Sequence, residues 1–447
     1  MQLAGHVPIL RRHICDAITE HGNIVNLSLH DQWRQLVLKP LSKLNKSYPS
    51  TYIVVIDALD ECDNDNSIRH ILHLVAEARP LKTVRLRVLL TSRPEVPIRF
   101  GFNHMLDVKY CHFVLHNISP SIVDHDILIF LENNLKLIGE EQGQDAGWPG
   151  TEIAKALVQS AGGLFIWAAT ACRFIREGLF ADERLRTLLQ GVASAATTPE
   201  EHLNGIYITA LRNSVQPTFS QEDKQSFYSI LRDVLECIVV LSSPLSVNSL
   251  SKLLVIPKQR MDRILRDLHA ILDIPDDPVR PLRLHHPLFR DFLLDKTRCG
   301  DSNFRVDEKQ AHQTLAKSCI QLMSACLKQD ICGLDAPGVL VAEVERSRVK
   351  QCLSPEVQYA CLCWVGHLQK SGTQLHDNGQ VHRFLRTHFL HWLEALSWMR
   401  RVSEGIQAIR LIESIALVSL LLLRPEHTNE LSSGSLTVPI YSRLFTT

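Results

Sequence analysis

Three carboxylates, Asp57, Asp60 and Glu61, fall within five residues, directly after the apolar run Ile53-Val54-Val55-Ile56. At the carboxyl end of a strand in an open α/β sheet, a side chain stands where such sheets bind ligands. A carboxylate there suits Mg²⁺, which takes oxygen donors and is often shared with a nucleotide. Asp60 or Glu61 would then polarise a water for attack on a terminal phosphate. Closely spaced acids repel one another unless a cation or hydrogen-bond donors offset them. The alternative reading is an acidic turn at the start of the next helix, where negative charge is favoured. A second polar cluster, Thr91-Ser92-Arg93, closes another apolar run. Side by side, the two ends would let Arg93 read a terminal phosphate.

Several elements must position these groups. Tyr52 to Asp57 is a continuous β-branched run, which predicts a parallel strand buried on both faces. The polar stretch from Asp63 to Ser67 predicts a turn, with Ser67 as helix N-cap. Ile68, Ile71, Leu72 and Val75 then repeat at helical spacing and predict an amphipathic helix. A second strand is expected over Leu86 to Thr91. Strand, helix and strand within about 40 residues form a βαβ unit, so 53–57 and 86–91 should pair in parallel. A third strand is expected over Cys111 to His116. Beyond about residue 120 the helical period dominates, with helices over 124–137, 151–160 and 164–178. Polar stretches at 138–150 and 192–203 read as linkers. Helical patterns over Phe227 to Leu241 and Met261 to Leu272 flank the turn Ser242-Ser243-Pro244, and a β-pair is expected near 270–285. Residues 303–423 read as helices, with Leu385, Phe389, Trp392 and Leu396 on one face.

Composition narrows the classes. The 447 residues suggest about three domains. Lys+Arg and Asp+Glu are both 48, which argues against a nucleic-acid surface or a polybasic membrane arm. With 45% hydrophobic and 21% charged residues, the chain reads as globular. Twelve cysteines are too sparse for a disulfide framework and read as free thiols in a reducing compartment. The apolar run Ile415 to Leu423 has nine residues, far short of the roughly 20 a membrane helix needs, and reads as a buried helix. No secretory signal pattern and no repeat with a period of about 20–50 residues is visible. A cytoplasmic protein with no nucleic-acid or membrane partner is expected.

Asp57-Ala58-Leu59-Asp60-Glu61-Cys62, followed by Leu89-Leu90-Thr91-Ser92-Arg93-Pro94-Glu95, resembles the Walker B and sensor-1 motifs of fungal NACHT-domain proteins. These are NLR-like signal-transduction NTPases of the STAND class. Gln32-Trp33 and Lys39-Pro40-Leu41 resemble the helix before Walker B, and Ala161 to Ala168 is similar to the helix after the NTPase core. His286-Pro287-Leu288-Phe289-Arg290-Asp291-Phe292-Leu293 resembles the family's winged-helix run, with Leu288 in place of a serine. Tyr359 to Cys361, Trp364, His367 and Trp392 to Leu396 resemble its downstream helices. The resemblance implies an α/β-plus-α fold: a partial P-loop NTPase parallel sheet (1–118), a helical subdomain (119–203), a winged-helix-like module (204–298) and an all-helical region (299–447). It also implies roles: Asp57 for Mg²⁺, Asp60 and Glu61 for hydrolysis, Arg93 for the terminal phosphate, and His286 for a β-phosphate in the closed state. Full-length members use ATP or ADP with Mg²⁺ in nucleotide-gated signalling, for example in non-self recognition and cell death.

The departures are specific. A P-loop needs G-x-x-x-x-G-K-[ST], and no Gly-Lys dipeptide occurs in these 447 residues. The chain therefore reads as the middle of a longer receptor, not an enzyme in this form and without a cofactor of its own, with protein partners or self-association. The alternatives are a helical scaffold with a dead nucleotide cleft and a non-functional gene fragment. A third strand without its native neighbour would leave an unpaired edge and poor solubility. Cys361-x-Cys363 with His367 could be a metal site, but residues two apart on a helix face apart, so core packing is the better reading. His285 and His286, without the resemblance, read as core or surface histidines.

Overall fold

The computed structural model describes the chain except residues 1–4, 6, 22–23, 25–26, 45–50, 63–64, 79–83, 94–97, 99–110, 112, 193–197, 217, 336–338, 342 and 423–447. It divides into two compact units, Met1–Leu115 and His116–Thr447.

In the first unit, α1 (Pro8–Glu20) is followed by α2 (Leu29–Trp33), a π-helical turn (Arg34–Leu38) and α3 (Lys39–Ser42). Then come β1 (Thr51–Ile56), α4 (Asp65–Ala76) and β2 (Arg85–Leu90). The two strands pair in parallel as expected, in register from Thr51 opposite Arg85 to Ile56 opposite Leu90. Side chains alternate across a strand. Tyr52 and Leu86 therefore join Leu10, Leu41, Leu44 and Val84 in one small core. On the same face, Ile56 and Leu90 pack with Leu59, Ile68, Leu72 and Ile98. The opposite face carries Ile53, Val55 and Leu89, which are 70%, 60% and 57% exposed. Burial on both faces, expected from the unbroken apolar run, is thus corrected. Branched residues at every position hid an alternation that packing imposes.

Two further expectations change here. Helix α4 starts at Asp65, so Ser67 lies inside its first turn and is not the N-cap. The third strand does not form among the described residues. Cys111, Phe113 and Val114 are irregular, and Leu115–Asn117 is a 3-10 turn. Phe113 and Leu115 are 75% and 70% exposed. The turn residues that follow, Ser119 and Pro120, instead prepare a helix start.

The second unit is helical apart from one hairpin. Its elements are α5 (Pro120–Glu141), α6 (Thr151–Ala161), α7 (Phe165–Arg176), α8 (Ala181–Val192), α9 (Pro199–Asn213), α10 (Gln221–Val240), α11 (Val247–Leu253) and α12 (Lys258–Leu265). After β3 (Leu272–Asp273) and β4 (Arg283–Leu284) come α13 (Pro287–Leu294), α14 (Glu308–Cys326), α15 (Arg346–Cys352), α16 (Pro355–Ser371), α17 (Gln380–Trp398) and α18 (Val402–Leu422). The expected linkers are shorter than read: α5 runs on to Glu141 and α9 starts at Pro199. Local chemistry explains both α9 and the α6–α7 corner. Thr198 and Glu201 form a reciprocal capping box at the start of α9. Gly162 ends α6 with φ +54°, and a Cβ there would sit 3.3 Å from Pro199, so the corner favours glycine.

The hairpin pairs Leu272 with Leu284 and Asp273 with Arg283, antiparallel, where a β-pair was expected. One continuous core runs from α5 to α18. Trp364 and Trp392 meet edge-to-face with centroids 5.6 Å apart, and the indole N–H of Trp392 donates to the Cys361 carbonyl at 2.9 Å. A polar chain crosses this core. The Ser242 N–H donates to Tyr359 Oη at 3.2 Å, Tyr359 Oη lies 2.6 Å from His367 Nε2, and His367 Nδ1 lies 2.8 Å from His312 Nδ1. In α18, Ile412, Ala416 and Ser419 face inward, while Leu417 and Val418 are 62% and 52% exposed. Over its described side chains, 415–419, the apolar run is therefore half-buried, not wholly buried as expected. No helix among the described residues is long and apolar enough to cross a membrane.

Candidate functional site

The two strands end side by side and their terminal residues interlock. β1 runs into Asp57 and then Ala58, which adopts the left-handed conformation at φ 50° and turns the chain sharply. Leu59–Glu61 forms a 3-10 turn, and buried Leu59 anchors it beneath the sheet. Its N–H donates to the Thr91 carbonyl at 3.0 Å, and the Thr91 N–H donates to the Ile56 carbonyl at 3.0 Å. These bonds extend the parallel ladder past the last paired residues.

Thr91 is the hub. Its hydroxyl oxygen accepts the Ala58 N–H at 2.9 Å, and its O–H donates to Asp57 Oδ1. One carboxylate oxygen of Asp57 is thus fixed, while Oδ2 has no hydrogen-bond partner among the described residues. Asp60 is held more firmly. Its Oδ1 accepts the Arg93 N–H at 2.9 Å and the Ser92 hydroxyl at 3.2 Å. Its Oδ2 faces the Arg93 guanidinium at 3.5 Å. The Asp60 side chain is 11% exposed and that of Arg93 42%. Glu61 is exposed. Donors therefore offset the acidic repulsion at the strand ends. The two strand ends lie side by side as expected, with Asp57 tied to Thr91 and Asp60 to Arg93, but the pairing of Asp60 with Arg93 was not foreseen.

His286 lies in the other unit, as N-cap of α13. Its Nδ1 accepts the Leu288 N–H at 3.1 Å. Nδ1 is then the unprotonated nitrogen, and the neutral ring carries its proton on Nε2. The neighbouring His285 places Nε2 2.9 Å from the His269 carbonyl. Burial, and next the Arg173 guanidinium, push its pKa below the usual histidine range. The metal reading of Cys361, Cys363 and His367 gains nothing, because Tyr359 and His312 occupy both His367 ring nitrogens.

Sequence reasoning missed a charged seam in the second unit. Both carboxylate oxygens of Glu177 are buried without a hydrogen-bond partner. Burial pushes its pKa up to about 8 against the opposing pull of Arg184 and Arg173. Arg184 lies over the Phe174 ring, 4.5 Å from its centroid. The spacing of Arg173 and Glu177, four residues apart, was the one visible signal.

Comparison with known proteins adds two findings. A family model described as Nephrocystin 3, N-terminal, matches residues 1–93, the stretch that ends at Arg93. The vegetative incompatibility protein HET-E-1 of Podospora anserina is 26% identical over 389 residues. That match covers 82% of this chain and 27% of the relative's length, so the chain spans about a quarter of that protein. No solved structure matches. Together the two matches support a likeness to NACHT-related proteins.

Proposed function

We propose that this chain is a regulatory module of a STAND-class, NACHT-type signalling receptor, working through protein partners in the cytoplasm. The carrying observation is the interlocked pair of strand ends: Thr91 joins Asp57 to the neighbouring strand, and Asp60 holds Arg93. Asp57 takes the Walker B position and Thr91 to Arg93 the sensor-1 position. The order α10, α11, α12, β3, β4 supports a winged-helix reading of that segment, with His286 as N-cap of the helix that follows.

The residues present fit a nucleotide only in part. Asp57 is exposed, with one oxygen that no described residue engages, able to meet Mg²⁺, and the other fixed by Thr91. The phosphates lack a fitting cradle, because these 447 residues contain no G-x-x-x-x-G-K-[ST] run. We therefore derive no hydrolytic step, and we propose that the chain is a degenerate NTPase that does not turn over ATP. A second reading, a helical scaffold with a dead cleft, draws on Asp60. Its carboxylate is already occupied by Ser92 and Arg93, which removes one of the two acids expected to act on water.

The test is ATP turnover and Mg²⁺-dependent binding of a fluorescent ATP analogue by the purified chain. The degenerate-switch reading expects no turnover, and weak binding that Asp57→Asn removes. No binding at all, with or without Mg²⁺, favours the scaffold. Turnover abolished by Asp57→Asn would overturn both.

A further inference from the structure

Two thiols of the second unit lie near one another. Cys332 lies in the turn after α14, is 3% exposed, and belongs to the main core. Cys352 is the last residue of α15 and is half-buried against the same core. Both are free thiols, and the Cys352 side chain is close enough to Cys332 to raise its thiol.

Independent contacts hold this pairing in place. Asp330 sits in the left-handed region at φ 49° and accepts the N–H groups of Leu334 at 2.9 Å and Asp335 at 2.8 Å. From α17, Glu394 accepts the N–H groups of Asp330 at 3.2 Å and Ile331 at 3.1 Å. From α15, Arg348 donates Nε to the Cys332 carbonyl at 2.9 Å and also binds the Gly333 carbonyl. Cys352 follows Arg348 by four residues, so both lie on one face of α15. The bond from Arg348 to the Cys332 carbonyl thus sets the face of α15 that carries Cys352 against the Cys332 turn.

We propose that Cys332 and Cys352 form a thiol–disulfide exchange site that takes a small-molecule disulfide of the glutathione class and closes into an intramolecular disulfide. The proposal does not depend on the nucleotide reading. Cys352, the more accessible thiol, loses its proton to solvent, and its thiolate attacks one sulfur of the oxidised glutathione. A mixed disulfide forms and one glutathione leaves. Cys332 then loses its proton and attacks the Cys352 sulfur. The Cys332–Cys352 bond forms and the second glutathione leaves. Two protein thiols are oxidised and one disulfide is reduced to two glutathiones. Burial holds the Cys332 thiol high, at about 11, with the Cys352 sulfur adding to the rise. The second step is therefore the slow one, and its speed rests on the contact already made. The closed bond would fasten α15 to the turn after α14.

The experiment uses the full chain in glutathione buffers of rising oxidised fraction, quenched with acid and digested with trypsin without reductant. The expected product is peptide 329–346 joined to peptide 351–370, lighter than the sum of the two by about 2 Da. Cys352→Ser should abolish the link although Cys361 and Cys363 remain in the second peptide. Cys332→Ser should leave Cys352 as the glutathione adduct. If Cys332→Ser fails to fold, the wild-type link and its loss in Cys352→Ser decide. A link that survives in Cys352→Ser, a wild-type chain that stops at the adduct, or a chain that stays fully reduced would each overturn the proposal.

Discussion

Asp60 accepts the backbone N–H of Arg93 at 2.9 Å and faces the same residue's guanidinium at 3.5 Å, so one carboxylate holds both the main chain and the side chain of its neighbour. The two contributions are unequal. The hydrogen bond ends on a largely buried carboxylate, whereas the guanidinium is 42% exposed and screened.

Truncation on the two sides should therefore differ. Asp60→Ala removes the acceptor for the Arg93 N–H and the Ser92 hydroxyl, and should cost about 1–2 kcal/mol. Arg93→Ala keeps the N–H bond and should cost under about 0.5 kcal/mol. Urea unfolding of the full chain, followed by amide exchange over 51–61 and 85–93, measures both. Equal losses would show that the guanidinium contact dominates.

Ala58 is a non-glycine residue at φ 50°. Left-handed backbone costs an L-residue roughly 1 kcal/mol, so Ala58→Gly should raise stability by about 0.5 kcal/mol after the added entropy of the unfolded chain. Thr91→Val should do the reverse, because it leaves the Ala58 N–H and Asp57 without their shared hydroxyl. Thermal melts of the two variants test the pair. A destabilised Ala58→Gly would mean that the turn is not strained.

Acid stability should be governed by His312 and His367, which are buried neutral. Burial pushes His367 down to about 3, with His312 and Lys370 adding to the effect. His312 is lowered too, by burial and then by Lys370 and Arg290, against Glu308. A folded-state pKa below the unfolded value means the unfolded chain binds the extra proton first. Stability is then complete above pH 6.5 and falls as pH drops toward 3, by about 2 kcal/mol at pH 5. Glu177 has the opposite sign. Raised to about 8, it takes stability away as pH climbs from 4.5 through 8. Denaturant titrations from pH 4 to pH 9 should show His367→Gln flattening the acid limb and Glu177→Gln the alkaline one. An unchanged acid limb in His367→Gln would be the contrary result.

The open sheet face predicts self-association. Val55 and Leu89 are register partners, Ile53 lies beside them, and all three are more than half exposed. Replacing Ile53 and Val55 with Thr keeps strand propensity while removing apolar surface. Light scattering at rising concentration should fall in the double variant, with a melting temperature within a few degrees of wild type. Undiminished scattering would place the sticky surface elsewhere.

Much of the scaffold was legible before the structure. The parallel pairing of 51–56 with 85–90 followed from chain connectivity, and the hairpin near 272–284 from its short apolar pair between helices. The strand-end carboxylates were visible because an apolar run delivered them. Less legible was anything set by a distant partner. Ile53 reads the same as Val54, yet one is exposed and the other half-buried, because the cores of this unit form on one face of the strand pair. Phe113 to Leu115 has strand chemistry and pairs with no strand among the described residues. Asp60 looked like a base, and its engagement by Arg93 depends on a contact 33 positions away that no local pattern encodes.

The buried chain from Ser242 to His312 has a direction. A peptide N–H can only donate, so Tyr359 Oη accepts from Ser242, and among the described residues His367 Nε2 is the acceptor that its own hydrogen reaches. His367 then carries its proton on Nδ1 and gives it to His312 Nδ1, which leaves the His312 proton on Nε2. One main-chain group in the turn after α10 thus selects the tautomers of two imidazoles and aligns four dipoles head to tail. Any motion that withdraws the Ser242 N–H frees Tyr359 Oη to accept from His367 instead, and the polarity of the whole wire can reverse. The ring nitrogens of His312 are therefore a remote reporter on that turn, readable by nitrogen-15 chemical shifts without a probe placed near it.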